Sequence, residues 1–315
     1  MKGQLQWSLL LVPTIWNERK GNVSPGLRKM DISIVVLTKN AGDGFGTLLQ
    51  RLFSQKFNGD YEVIVIDSGS TDNTVVVAQG FPVKMTRIRA EEFHFSKTRN
   101  LAAELSNGRI LVYISQDALP LHDGWLQKLT EDLKDPMIAM VFGRQIAWHD
   151  AKPPEKFFYE YYFPEHKIEV VRNASDYYRD NMFISNVNAA IRREVWQRFG
   201  FSEDIVGGED KELGKRVLLA GWKIIYRPDA VVYHSHDFSF RLLYRRSIDS
   251  GIVLSQGIDA PRSKGWMIQR VGYFVKEFRY ILTNKGGLKW LPYSVAYETV
   301  KLLGTALGWI HGKFL

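Results

Sequence analysis

Apolar residues recur through the middle of the chain with two alternating periods. Residues 32–37 (ISIVVL) form a run dominated by β-branched side chains, the pattern of a strand buried on both faces. Phe45, Leu48, Leu49, Leu52 and Phe53 then fall at helical spacing. Residues 61–66 (YEVIVI) predict a second strand, closed by the polar stretch 67–72, where Thr71 and Asp72 can cap a following helix. Residues 83–88 predict a third strand. Ser96 is placed to cap a helix that ends at Asn107-Gly108, and residues 110–114 (ILVYI) predict a fourth strand. Strand and helix in this rhythm predict an open, mostly parallel α/β sheet. In such sheets ligands bind beyond the carboxyl ends of the strands. The polar residues that close these strands, Thr38, Asn40, Asp67 and Asp117, should therefore share one crevice.

Beyond Asp117 the pattern loosens. Residues 152–164, rich in Tyr, Phe and Pro, read as an irregular aromatic segment, and residues 183–191 as a strand interrupted by Asn186 and Asn188. Gly207-Gly208-Glu209-Asp210 opens a helix running to Leu219 and stopped at Gly221. Two short strands follow, 223–226 and 231–233, the second leading into His234-Ser235-His236.

Composition narrows the class. With 45% apolar and 24% charged residues, the 315-residue chain is an ordinary globular protein. The absence of cysteine removes disulfides, thiolate nucleophiles and Cys-ligated zinc, and fits a reducing compartment. No run of 18 apolar residues predicts a transmembrane helix. Residues 7–16 are too short and poorly flanked for a secretory signal. Met30, directly before the first strand, is expected to be the natural start of the domain, which leaves a weakly structured extension before it.

The net charge of +8 is unevenly placed: residues 1–30 carry +4, residues 31–237 carry −4 and residues 238–315 carry +8. We take these as an N-terminal extension, a central domain and a C-terminal region. That last region holds thirteen Phe, Tyr or Trp beside twelve Lys or Arg. Val271, Phe274, Val275, Phe278, Ile281 and Leu282 make one apolar helical face. Pro292 can open a further helix carrying Val295, Leu302, Leu303 and Ile310. Such a basic, aromatic, helical region suits the surface of an anionic membrane. No nucleic-acid-binding motif appears and the crevice is acidic, so no nucleic-acid partner is expected.

Taken singly, the motifs are modest. Gly42, Gly44 and Gly46 lack the spacing of a dinucleotide fingerprint and no P-loop lysine follows, so they read as turn glycines. Asp67 and Asp117 could each be a turn acid. Together they end two strands of one series, with Arg99-Asn100 between them and Glu209-Asp210 and His234 beyond.

In this order the segments SIVVLTKN, EVIVIDSGSTDNT, SQDALP, GGEDKELGKRVLLAGWKI and PDAVVYHSH resemble the family 2 nucleotide-sugar glycosyltransferases, over residues 31–237. EEFHFSKTRNLAAE and SNVNAAIRREVW look most like the rhamnosyltransferase-like branch that builds bacterial surface polysaccharides. The resemblance implies the GT-A fold, inversion at the anomeric carbon, and a divalent metal, Mg2+ or Mn2+. It makes Asp67 the partner of the nucleotide base, with Thr38, Asn40, Asn100 and Gln116 nearby, and puts Arg99 on the nucleotide or its phosphates. Asp117 matches the last acid of the family's DxD motif, whose earlier acids are here Ser115 and Gln116. His234 is the candidate second metal contact, with His236 behind it, and Asp210 matches the catalytic base. Glu209 and Asn186 fall on the acceptor side.

The expected activity moves a sugar, rhamnose from dTDP-rhamnose, to a growing glycan carried on a polyprenyl-diphosphate lipid. The expected location is peripheral, on the cytoplasmic face of the cell membrane. A UDP-hexose or UDP-N-acetylhexosamine donor, or a weakly catalytic nucleotide-sugar-binding scaffold, stays open as an alternative.

Overall fold

The computed structural model describes residues 30–170, 184–255, 266–283 and 287–314. The expected N-terminal extension lies outside them. The strands are β1 (Ile32–Thr38), β2 (Tyr61–Asp67), β3 (Lys84–Arg87), β4 (Ile110–Ser115), β5 (Leu119–Pro120), β6 (Ile138–Ile146), β7 (Ile168–Val170), β8 (Asn188–Arg192) and β9 (Lys223–Tyr233). They form one sheet in the order β3-β2-β1-β4-β8-β6-β9-β5, with β7 on β9. The predicted parallel arrangement holds across β3-β2-β1-β4. Beyond it β8 runs antiparallel to both β4 and β6, whereas β6 and β9 are parallel.

The β1 run is apolar throughout because both of its faces are covered. Ile34 and Val36 pack with α1 (Gly44–Phe53) and α4 (Trp125–Thr130), while Val35 points to the opposite layer with Tyr113 and Ile191. Burying each such side chain contributes about 1.5–3 kcal/mol. The other helices of this α/β/α body are α2 (Thr74–Gln79), α3 (Phe95–Leu105), α5 (Pro153–Tyr162), α6 (Arg193–Phe199) and α7 (Glu209–Leu219).

Four local expectations change. Residues 153–162 are not irregular: Pro153 and Pro154 sit in the first turn of α5, where a fixed φ and a missing N–H are harmless, and the aromatic residues then follow at helical spacing. The two short strands near residues 223 and 233 are one strand. The register jumps from Gly143↔Arg227 to Arg144↔Val231, so Pro228, Asp229 and Ala230 bulge without breaking β9. Asn186 precedes β8 rather than interrupting it. Asn188, inside the strand, is tolerated because its amide donates to Arg144 O (3.2 Å) and Ala230 O (2.8 Å) and accepts from Trp125 Nε1 (2.9 Å). Ser96 lies within α3, whose N-cap is His94. Asp72 does act at the start of α2, where it accepts the backbone N–H of Thr74 (3.0 Å).

The C-terminal region is helical: α8 (Phe240–Ser255), α9 (Trp266–Thr283) and α10 (Leu291–Gly312). It docks on α5 through rings, with Phe157 5.1 Å from Tyr273, and through Tyr280 donating to Glu160 (2.8 Å). Among the described residues no helix is long and apolar enough to cross a membrane.

Within this layer Glu277 is fully buried and accepts from Ser294 Oγ (2.5 Å). Burial, reinforced by Glu298, pushes its carboxyl up to about 7. The folded state therefore holds this proton to higher pH than the unfolded chain, so the contribution to stability is complete in mild acid and is lost as pH rises towards about 7. Glu277→Gln should gain about 2 kcal/mol on the wild type between pH 5.5 and 8, read from paired thermal denaturation curves.

Candidate active site

Strand register brings the polar ends together. Thr38 pairs with Asp67 across β1–β2, Leu37 with Ser115 across β1–β4, and Asp67 with Arg87 across β2–β3. Asp67 is wholly buried. Its Oδ2 accepts from the backbone of Gly69 (3.2 Å) and Ser70 (3.1 Å) and lies 3.4 Å from Arg87 Nε, whereas Oδ1 has no partner among the described residues. A buried carboxylate oxygen left open in this way is ready for a ligand N–H.

The residues around Asp67 brace the crevice. Thr38 Oγ1 and Lys39 N both donate to Gln116 Oε1 (2.9 and 2.8 Å), and Gln116 Nε2 returns a bond to Lys39 O. Asn40 adopts a positive φ of 48° and accepts from Thr71 N (2.8 Å), which ties the β1 loop to the β2 loop. Asn100 faces away from this pocket. Its amide donates to Phe201 O and Glu203 and accepts from Trp196 Nε1 and Phe201 N, all near 3.0 Å, so it anchors the segment between α6 and α7.

A second group forms where β5 pairs with the end of β9, Leu119 opposite Tyr233. That pairing sets Asp117 against the histidines that follow β9. Asp117 Oδ1 lies 3.6 Å from His234 Nε2, and Oδ2 lies 3.7 Å from His236 Nδ1. One donor atom from each residue falls within 4.8 Å of the others. His234 Nδ1 bonds Gln145 Oε1 (2.8 Å) and meets the hydroxyl of Tyr159 (3.1 Å). A carbonyl oxygen only accepts, so Nδ1 carries the proton and Nε2 presents a lone pair to Asp117. Burial drives His234 down to about 4 despite the pull of Asp117, which keeps the ring neutral. Burial likewise lowers His236. The His236 ring stacks on Phe238 (4.6 Å), and its backbone N–H donates to Glu155 (3.2 Å), whose other oxygen accepts from Tyr297 of α10 (2.9 Å).

The third group stands at the start of α7. Gly207 and Gly208 adopt φ of 80° and 71° and turn the chain so that Glu209 and Asp210 begin the helix, where its dipole favours carboxylates. Glu209 is buried and paired with Arg99 Nη1 (2.5 Å); burial raises its carboxyl, opposed by Arg99. Arg99 thus answers Glu209 before any ligand. Asp210 accepts from Asn186 N (3.0 Å), and the next residue, Val187, accepts from Ser115 N (3.2 Å). Two hydrogen bonds therefore link Asp210 to the end of β4 beside Asp117.

Residues 33–200 match glycosyl transferase family 2. The chain belongs to that family. It is 31% identical over 286 residues to the O-antigen chain rhamnosyltransferase RfbN of Salmonella typhimurium, covering 89% of this chain and 90% of that one. It is 30% identical to the O-antigen chain rhamnosyltransferase WbaN of Salmonella anatum, covering 88% of each. Among solved structures, the mannosyltransferase PcManGT from Pyrobaculum calidifontis, in complex with GDP-Man and Mn2+, superposes with a TM-score of 0.58 at 19% identity, over 91% of this chain and 86% of that one. Staphylococcus aureus TarS 1-349 in complex with UDP gives 0.54 at 16% identity, over 89% and 90%. The fold is GT-A, and the protein is a glycosyltransferase.

For this glycosyltransferase the Asp117, His234 and His236 donors fit a divalent cation: one carboxylate, two imidazoles, and a buried His234 already oriented from behind. Asp117 and His234, expected together from the sequence, do lie in one cluster, whereas Gln145 and Tyr159 behind the His234 ring carry no motif. Gln145 follows Arg144 near the end of an otherwise apolar β6, and the buried position of its amide is the one feature that marks it.

A hollow of about 560 Å³ lies at the opposite ends of β6 and β9, by Ile138 and Lys223, and its charged lining is paired internally, as Lys167–Asp132 (2.6 Å) and Lys223–Glu169 (3.4 Å) are.

Gln145→Ala should weaken Mn2+ binding about 10-fold or more, measured by Mn2+ titration of the protein alone. Asn100→Ala should instead cost about 2 kcal/mol of stability in denaturant unfolding and leave nucleotide affinity within two-fold or so.

Proposed function

We propose that the chain is an inverting, metal-dependent rhamnosyltransferase. It moves rhamnose from dTDP-rhamnose to a growing surface glycan held on a polyprenyl-diphosphate lipid, at the inner face of the cell membrane. The observation that carries the reaction is Asp210: a carboxylate at a helix start, two hydrogen bonds from the strand end that bears Asp117. The two relatives that match nearly the whole chain, both O-antigen chain rhamnosyltransferases, support the donor and the product. The charge of +8 over residues 238–315 supports the location.

Asp67, through its open Oδ1, accepts the imide N–H of thymine. Gln116 and Asn40 hold the two loops that frame this pocket. Asp117, His234 and His236 would hold a divalent cation, which when bound would supply Lewis-acid charge for the departing diphosphate. The mixed nitrogen and oxygen set favours Mn2+ over Mg2+, which prefers oxygen alone. Asp210 takes the proton of the acceptor hydroxyl as that oxygen bonds to the anomeric carbon, and the bond from carbon to the diphosphate oxygen breaks with its electron pair. General-base help of this kind contributes about 10²–10⁴-fold. Glu209, neutralised by Arg99, lines the acceptor side without adding a free charge next to Asp210.

Two measurements test this. Asp210→Asn should lower transfer at least about 100-fold while dTDP binding, followed by calorimetry, stays within a few-fold; near-normal turnover would remove Asp210 as base. A panel of nucleotide sugars with the wild type should show slow donor hydrolysis with dTDP-rhamnose. Hydrolysis of a UDP-hexose or UDP-N-acetylhexosamine instead would change the donor, and none with any donor would favour a binding scaffold.

A further inference from the structure

The last helix, α10, is built inside out. In α10 the buried stripe is Ser294, Gly304 and Gly308, while Leu302, Leu303, Leu307, Trp309 and Ile310 are exposed, Leu303 by 58%. In α9 the inner positions are Tyr273, Glu277 and Ile281, while Val271, Val275 and Leu282 face outward. A helix that folds against a protein core in water normally does the reverse.

The seam between α8 and α10 shows how this is achieved. Ser247, Gly251 and Ser255 of α8 run alongside Gly304, Gly308 and Gly312 of α10, two small residues every fourth position. A Cβ at Gly308 would strike the Ile248 carbonyl, and one at Gly251 the Thr305 carbonyl; at Gly304 it would sit 2.7 Å from Ser247 Cβ. The backbones themselves are in contact. Close approach through small residues is how helices associate when the surrounding medium is as apolar as their side chains, because leucines then gain nothing by turning inward.

At 3.6 residues per turn the exposed residues Leu302, Leu303, Ala306, Leu307, Trp309 and Ile310 fall on one broad arc of about 160°, opposite the glycine stripe. An apolar arc this broad suits the boundary between headgroups and hydrocarbon, where a helix lies with one face immersed. Arg241 and Arg245 are exposed on α8, and the region's charge of +8 suits anionic headgroups and opposes pairing of two copies. The uncharged stretch from Leu302 to Ile310 spans about 14 Å at 1.5 Å per residue, roughly half of a hydrocarbon core of about 30 Å. Gly207, in the turn that leads to Asp210, lies against Val253 of α8: a Cβ there would be 3.1 Å from its Cγ2.

We propose that the α8–α10 pair seats in one leaflet of an anionic membrane, and that this sets the start of α7, with Asp210, at the level from which a lipid-borne hydroxyl arrives. The proposal deepens, and rests on, the membrane location given above.

The chain has no cysteine, which permits single labels. Leu303→Cys and Leu307→Cys would each carry the fluorophore NBD, with Val76→Cys on the exposed face of α2 as control. The full-length proteins are mixed with phosphatidylcholine vesicles containing phosphatidylglycerol, and binding is read separately by sedimentation. Several-fold brighter, blue-shifted emission at 303 and 307, quenched by nitroxides on the lipid tails and absent at 76, is the expected result. Sedimentation with vesicles but unchanged emission at 303 and 307 would overturn the seating of this helix pair while leaving the membrane location intact. No sedimentation at low salt would remove both. Brightening without vesicles that fades on dilution would assign the surface to a second copy and overturn the proposal.

Discussion

The pairing of β5 with the end of β9 makes a site out of residues that the chain keeps far apart. Leu119 opposite Tyr233 leaves Asp117 and His234 no choice but to face each other across a few ångströms. Because β9 also pairs with β6, the same backbone ladder delivers Gln145 to the far side of the His234 ring. Main-chain hydrogen bonding thus sets which residues meet, and the Gln145 side chain that it delivers sets the tautomer.

Polar groups that would ordinarily be liabilities in a buried sheet hold this arrangement. Asn188 closes the bulge in β9 by bonding Ala230 and Arg144, and so keeps the register that aligns His234. Gln116 closes the β1 loop over Thr38 and Lys39, and Asn40 closes the same loop over Thr71. Each is satisfied within the protein, whereas Asp67 Oδ1 has no partner among the described residues. That contrast separates the groups that frame a ligand from the one open to it.

The C-terminal helices are joined to this machinery at two points. Glu155 bonds the backbone of His236 with one oxygen and Tyr297 of α10 with the other, and Val253 of α8 abuts the Gly207 turn before Asp210. Whatever medium surrounds α8 and α10 is therefore mechanically connected to His236 on one side and to the turn before Asp210 on the other. The aromatic helix α5 is the intermediary, a role that its composition alone concealed.

Much of the nucleotide half could be read directly from the chain. The run 32–37 announces a strand covered on both faces, the spacing of Phe45, Leu48, Leu49 and Leu52 a helix, and the Gly207-Gly208 pair the start of α7, because local sterics and burial period act over a few residues. The motif order pointed to Asp67, Asp117, Asp210 and His234. What the sequence could not disclose is which polar side chains face a ligand and which face their neighbours. Asn100 and Asn40 look alike on the page as candidates, yet both are bound by partners from distant segments, and Gln145 gave no motif at all. The apolar residues of α9 and α10 were equally visible, but not that Val271, Val275 and Leu282 point outward beside a buried Glu277, or that the leucines of α10 point away from a glycine seam. Periodicity determines that a face exists; only packing decides what it meets, since that depends on backbone approach between helices far apart in the chain.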